Sequence, residues 1–274
     1  MFHKVIYLFT LLFFSSSVMA DKALVLARAP QLSPSAISKL WSPFVESISK
    51  KTGIDIVLKV YREREDFEAD IMDGKVDMYF GNPGYGVVGY LNHGYIPIIR
   101  SDRKLLEGIL VARAGSSIMS IEDLNKKIIA FPDRNAFAAS LYLRSRISSD
   151  FNISYDELYA GSHDNTYRSV IIGKAAAGGG VKRTLERESP QLRKQLKIIY
   201  TTPGMKSHPL MAHPSISVKN RISIQQAILD LDKDESGKKL LKSIKLQKPV
   251  IADYAEDYKS IEDLVKIMYQ SMIN

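Results

Sequence analysis

A chain of 274 residues that is 45% apolar and 25% charged has the make-up of an ordinary globular protein, which excludes the disordered and collagen-like classes. It has no cysteine, so a disulfide framework, a thiol nucleophile and a thiolate metal site are all excluded. The net charge of +8 is interleaved with acids, as in Arg62-Glu63-Arg64-Glu65-Asp66, so most basic residues read as solvated helix faces and no nucleic-acid partner is expected.

In chain order, Lys4 precedes an apolar run over 5–14, then Ser15-Ser16-Ser17 and the small-residue pattern Val18-Met19-Ala20. That is the layout of a secretory signal peptide over residues 1–20, with cleavage before Asp21. The apolar run is about half of the roughly 20 residues that span a bilayer, so release is expected in preference to a membrane anchor. No cysteine follows the cut to carry a lipid, and a soluble protein of a Gram-negative periplasm is the expectation. About 250 residues then remain, enough for one large domain or two modest ones.

The mature chain alternates short β-like runs with helical stretches. Strands are predicted at 23–29, 55–61, 78–80, 96–99, 108–113, 128–131, 157–160, 175–177 and 197–201, with 207–213 extended. Helices are predicted at 34–50, opened by Ser33-Pro34, and at 65–72, 86–91, 121–126, 137–148, 166–172 and 182–188. The last quarter is helical over 217–232, 236–244 and 254–272. The pattern is α/β with mostly parallel sheets. An eight-fold barrel should not end in a largely helical quarter. Two lobes joined by two crossings fit better, lobe 1 from 21–106 with 213–274 and lobe 2 from 107–212.

No G-x-S-x-G elbow, G-x-x-x-x-G-K-[ST] loop or H-E-x-x-H is present. Gly178-Gly179-Gly180 lacks the spacing of a dinucleotide loop and reads as a strand-to-helix turn. The histidines lack paired helical spacing for a metal, and no cofactor is implied. Three strand-to-helix junctions carry the candidate ligand residues, since helix N-termini beyond strand ends offer free N–H groups to an anion. They are Phe80–Gly86 with Asn82 and Tyr85, Phe131–Ala136 with Arg134 and Asn135 (the expected cap), and Gly161–Thr166 with Ser162, His163 and Asp164. Each alone also suits a merely capped turn. Three at one edge of the topology point to a site.

Gly74-Lys75-Val76-Asp77 followed by Phe80-Gly81, Pro83 and Tyr85 resembles the G-x-x-D…(F)G-P-x-x-Y stretch of the phosphate/phosphonate-binding periplasmic proteins of ABC transporters. Residues 120–131, from Ser120 to Ala130-Phe131, resemble that family's S-x-x-D-L-x-G-K-x-(V)-A-F, and His163-Asp164 with Val170 and Gly173 its H-D-x-x-x-x-x-V-x-x-G. The resemblance implies a type II periplasmic binding fold, two α/β lobes closing on a ligand cleft, and a non-enzymatic monomer that passes a small anion to a permease. The departures are specific. Arg134-Asn135-Ala136 stands where phosphonate binders carry a hydroxyl-rich turn, Ala176 where an acid is common, and Phe67 and Leu106 at altered aromatic positions. Arg134 is a candidate replacement for the lost hydroxyls.

The resulting expectation is an anion held by Tyr85, Asn135 and His163, binding more tightly toward pH 6 as His163 gains its proton. Rival readings are a sensor-input or adaptor protein of the same fold and a periplasmic hydrolase, whose one proton-transfer group would be His163-Asp164.

Overall fold

The computed structural model describes residues 22–103 and 105–273, so the expected signal segment, 1–20, lies outside the described residues. The chain first builds β1 (Leu24–Arg28), α1 (Pro34–Thr52), β2 (Ile56–Val60), α2 (Arg64–Met72), β3 (Met78–Phe80), α3 (Pro83–His93) and β4 (Ile96–Ser101). It crosses over and builds β5 (Gly108–Arg113), β6 (Lys127–Phe131) and a π-helical turn (Phe137–Leu141) that leads into α4 (Tyr142–Asp150). There follow β7 (Tyr155–Tyr159), α5 (His163–Ile171), β8 (Ala177–Val181), α6 (Lys182–Leu185), α7 (Pro190–Arg193) and β9 (Leu196–Thr201). It returns through β10 (Pro209–Ala212), α8 (Val218–Leu231), α9 (Glu235–Ser243), β11 (Pro249–Ile251), α10 (Tyr254–Asp257) and α11 (Glu262–Met268).

Local chemistry explains where the helices start. Ser33 caps α1 by accepting the Ala36 N–H at 3.3 Å, Pro34 takes the first helical position, and Gly53 ends the helix with φ of 70°. Ile37, Trp41, Phe44, Val45 and Ile48 form its buried stripe. Asn82 and Ser162 cap α3 and α5 in the same way, accepting from the N–H groups of Tyr85 and Asn165.

The strands form two sheets, one in the order β11-β4-β10-β3-β1-β2 and one in the order β7-β6-β8-β5-β9. Both are mixed, and the mostly parallel expectation is corrected. β1 pairs in parallel with β2 and β3, and β6 with β7 and β8. β10 is antiparallel to β3 and β4, β11 to β4, and β5 to β8 and β9. β5 and β10, which follow the two crossings, enter their sheets from the other lobe and run against both of their neighbours. The first crossing meets the second at Leu106, whose N–H reaches the Met205 carbonyl at 2.7 Å while Met205 returns a 3.0 Å bond. The return was expected to reach lobe 1 only at His213, but β10 already lies in the six-stranded sheet.

Other elements also shift. The expected helix at 121–126 is a single 3₁₀ turn, Glu122–Leu124. The glycine run lies inside β8 and is not a turn. The helix expected over 254–272 is broken into α10, α11 and short 3₁₀ turns, with its apolar side chains packed inward and α11 against α3 and α4. Each lobe has its own apolar core, and one further cluster joins Tyr85, Tyr269 and Val265 of the first lobe to Phe137, Ala138 and Tyr142 of the second.

Candidate functional site

The carboxyl ends of β1, β3, β6, β7 and β8 face a cavity of about 530 Å³ between the two sheets. The first wall includes Arg28 at the end of β1, Arg64 at the start of α2 and the α3 cap Asn82. The opposite wall comprises Asp133, Asn135, the π-helical turn, and Ser162 and His163 at the start of α5. Among the described residues six cations line the cavity (Arg28, Arg64, Arg103, Arg183, Arg187 and Lys245) against one carboxylate, Asp133.

Arg28 is the buried member of this set, 6% exposed. Its guanidinium donates to the carbonyls of Ala29 (2.7 Å) and Phe80 (3.4 Å) and to Gln31 Oε1 (2.9 Å), and lies 5.3 Å from the Trp41 ring centroid and 5.2 Å from that of Phe80. Burial pulls it down to about 10, so it keeps its charge at neutral pH. Among the described residues it pairs with no carboxylate, and a buried cation without a counter-ion is costly unless a ligand supplies the charge.

Backbone N–H groups face it from the second lobe. Among the described residues the N–H groups of Phe137, Ala138 and Ala139 find no backbone carbonyl partner, while Ser140 and Leu141 both bond back to the Ala136 carbonyl. The wide π-helical turn leaves these donors without a backbone partner at the cavity wall, an arrangement of the kind that suits an anion. The start of α5 adds the N–H groups of His163 and Asp164. His163 Nδ1 is buried without a hydrogen-bond partner. Burial, and then the charge of Lys245, pull His163 below the ordinary imidazole value. His208, stacked at 5.9 Å on Phe80, is lowered by burial and then by Arg28, Lys245 and Arg183.

Of the seven residues proposed from sequence, Asn82, Asn135, Ser162 and His163 line the cavity. Tyr85, Arg134 and Asp164 do not. The Tyr85 ring is 1% exposed between Phe67 and Tyr269. Its hydroxyl donates to Glu68 and accepts from Arg64 Nη1 at 3.4 Å, so it stands behind Arg64 and buttresses it. Burial works against the Arg64 charge, but the Tyr85 hydroxyl, then Asp133 and Glu68, leave it above its ordinary value. Arg134 turns away to lie 4.8 Å over the Tyr159 ring, and Asp164 accepts from Arg168 at 3.3 Å. Asn135 is no helix cap, since Ala136 holds that position without a side-chain bond.

Sequence reasoning missed the cationic lining. The available signal was a deficit, because a chain that lacks the hydroxyl turn must neutralise an oxyanion by other means. Among the described residues, no group of three or more His, Asp or Glu side chains could hold a metal.

The match that decides the family is extensive. A family of periplasmic, phosphonate, substrate-binding proteins of ABC transporters matches residues 26–258. The chain belongs to this family. Comparison with curated proteins finds no match. Among solved structures, PhnD1 from Prochlorococcus marinus in complex with methylphosphonate is similar at 18% identity and a TM-score of 0.72, over 90% of this chain and 98% of that one. XAC2383 from Xanthomonas citri bound to ATP is similar at 15% identity and 0.78, over 92% and 99%. A binding protein component of an ABC phosphonate transporter from Pseudomonas aeruginosa is similar at 16% identity and 0.66, over 91% and 87%. The fold is thus the two-lobed type II periplasmic binding architecture, and the phosphonate-binding family places this chain among periplasmic solute-binding proteins.

Proposed function

We propose that the cleft captures an anion bearing a phosphoryl or phosphonyl group and delivers it, chemically unaltered, to an ABC permease. The observation that carries this reading is the buried, uncompensated Arg28 facing free N–H groups of the π-helical turn and α5 across one cavity. Arg28 and those N–H groups would hold the oxygens, with Asn135, Ser162 and His163 completing the second wall. Methylphosphonate and ATP, named for two structural neighbours, both present tetrahedral phosphorus oxyanions. The one proton-transfer pair that the sequence offered is not assembled, since Asp164 accepts from Arg168 and His163 Nδ1 has no partner among the described residues. Among the described residues no helix is long and apolar enough to cross a membrane. Release as a monomer after cleavage before Asp21 is part of the same reading.

Calorimetric titration of the exported protein with methylphosphonate and inorganic phosphate tests it, with acetate as control. Each lost charge-assisted contact costs about 1.5–3 kcal/mol, or roughly ten- to hundred-fold in affinity. Arg28→Met and Asn135→Ala should weaken the oxyanion by that order with the circular-dichroism melt retained. Mass spectrometry of the same sample should begin at Asp21. Absence of any oxyanion binding, or unchanged affinity in both variants, sinks the reading.

A further inference from the structure

The cavity is built for more charge than one phosphonate carries. A single phosphoryl group brings about −1.5 to −2 at neutral pH. Six lining cations against Asp133 leave a larger excess, and Asp133 is itself shared with Arg64 at 3.7 Å. The cations are also graded by depth. Arg28 is buried and Arg64 and Arg183 are half-buried, whereas Arg103, Arg187 and Lys245 are exposed around the mouth. Those three come from three separate segments: the exit of β4, the turn after α6 and the turn after α9.

Elsewhere on the surface Lys59, Arg146, Lys182 and Lys266 each find a carboxylate. Among the described residues Arg103, Arg183, Arg187 and Lys245 form no such ion pair, and they oppose one another. After burial, the charges of Arg28, Arg187 and Arg183 lower Lys245, and those of Arg187 and Arg103 lower Arg183. Size gives an independent indication. A cavity of about 530 Å³ lies within the roughly 300–1,000 Å³ of pockets that hold drug-sized ligands, far beyond the needs of one tetrahedral group.

We infer that the ligand is a polyphosphorylated small molecule whose first phosphoryl group sits at Arg28 and the π-helical turn, with further linked groups running past Arg183 to Arg103, Arg187 and Lys245 at the mouth. The inference rests on the oxyanion reading above and narrows it to a class. A free inorganic polyphosphate and a nucleoside polyphosphate share this chemistry. Beside the cations the cavity wall includes Phe80, Leu106 and Phe137, which offer apolar surface to an organic group.

The test is calorimetric titration of the exported protein, in phosphate-free buffer of low ionic strength, with methylphosphonate, pyrophosphate, tripolyphosphate, ATP and adenosine. Tripolyphosphate or ATP should bind on the order of thirty-fold or more tightly than methylphosphonate, in keeping with one to two added charge-assisted contacts. ATP well above tripolyphosphate assigns a nucleotide-like ligand, and parity assigns the polyphosphate tail alone. The double variant Arg187→Gln/Lys245→Gln changes two exposed side chains, so its folding is not at risk. It should cut the ratio of ATP to methylphosphonate affinity about tenfold or more. Methylphosphonate binding as tightly as tripolyphosphate and ATP overturns the inference and leaves the oxyanion reading standing. So does an equal loss of both ligands in the double variant. Failure of every oxyanion overturns both, and adenosine binding without tripolyphosphate overturns the polyphosphate class.

Discussion

His163 and His208 show how a cleft changes the meaning of a residue. In sequence, His163 is an ordinary imidazole whose proton would help an anion near pH 6. In the fold burial first and neighbouring positive charge second, Lys245 for His163 and Arg28, Lys245 and Arg183 for His208, favour the neutral form of both rings. Tightening of anion binding through His163 therefore shifts to lower pH than an ordinary imidazole would give. The stability consequence has a definite sign. A base whose folded-state pKa is depressed is protonated first in the unfolded chain, so its contribution is complete above about pH 6.5 and declines as the pH falls below it. His208→Gln should flatten the loss of stability between pH 6.5 and 5, by up to about 1.4 kcal/mol per pH unit. Urea unfolding of wild type and variant across that range reads it, and parallel slopes would refute it. A bound polyanion should reduce the same slope by favouring the protonated rings. Tyr85 makes the complementary point: its motif position is real, but its hydroxyl acts through Arg64 and Glu68.

At the scale of elements, the glycine run in β8 explains how the anion edge is positioned. A Cβ on Gly179 would lie 2.3 Å from the Ala139 carbonyl oxygen and 2.6 Å from the Phe131 ring. A Cβ on Gly180 would lie 2.3 Å from the Tyr167 hydroxyl. Bare backbone in this strand therefore lets the π-helical turn and α5 settle directly on the sheet, which brings their N–H groups to the cavity. Gly179→Ala must displace the backbone of that turn. It should cost about 1–3 kcal/mol, the usual scale of overpacking, and weaken methylphosphonate binding as the donors shift. Denaturant midpoints and titration of the same variant read both effects. A fully stable variant with wild-type affinity would show that the turn is not seated on this strand. The triplet was legible as a special backbone, but local spacing could not tell a turn from a strand packed under another backbone.

At the scale of the whole molecule, the two lobes meet behind the cleft through aromatic rings. Phe137, 6% exposed, lies 6.4 Å from Tyr269 at an interplanar angle of 25°. A side chain on Gly84 would strike both rings, at 2.8 and 2.6 Å. Phe137→Ala removes the second lobe's contribution to this contact and should cost about 3–5 kcal/mol, as large aromatic truncations in a core do. A loss under about 1 kcal/mol would mean that the crossings alone hold the lobes in register.

The sequence by itself determined the α/β alternation, the cap Ser33 with Pro34 behind it, and the family's motif order. These depend on backbone and side-chain chemistry within a few residues, so they leave local patterns. Tertiary structure alone decided that β10 inserts antiparallel between β3 and β4, that Tyr85 faces the core, and that Arg28, Arg183, Arg187 and Lys245 surround one cavity. Those cations come from separate stretches of the chain and share no motif. They meet because the strand order and two crossings bring the carboxyl ends of both sheets face to face, and the energy that rewards their meeting appears only when a ligand supplies the missing negative charge.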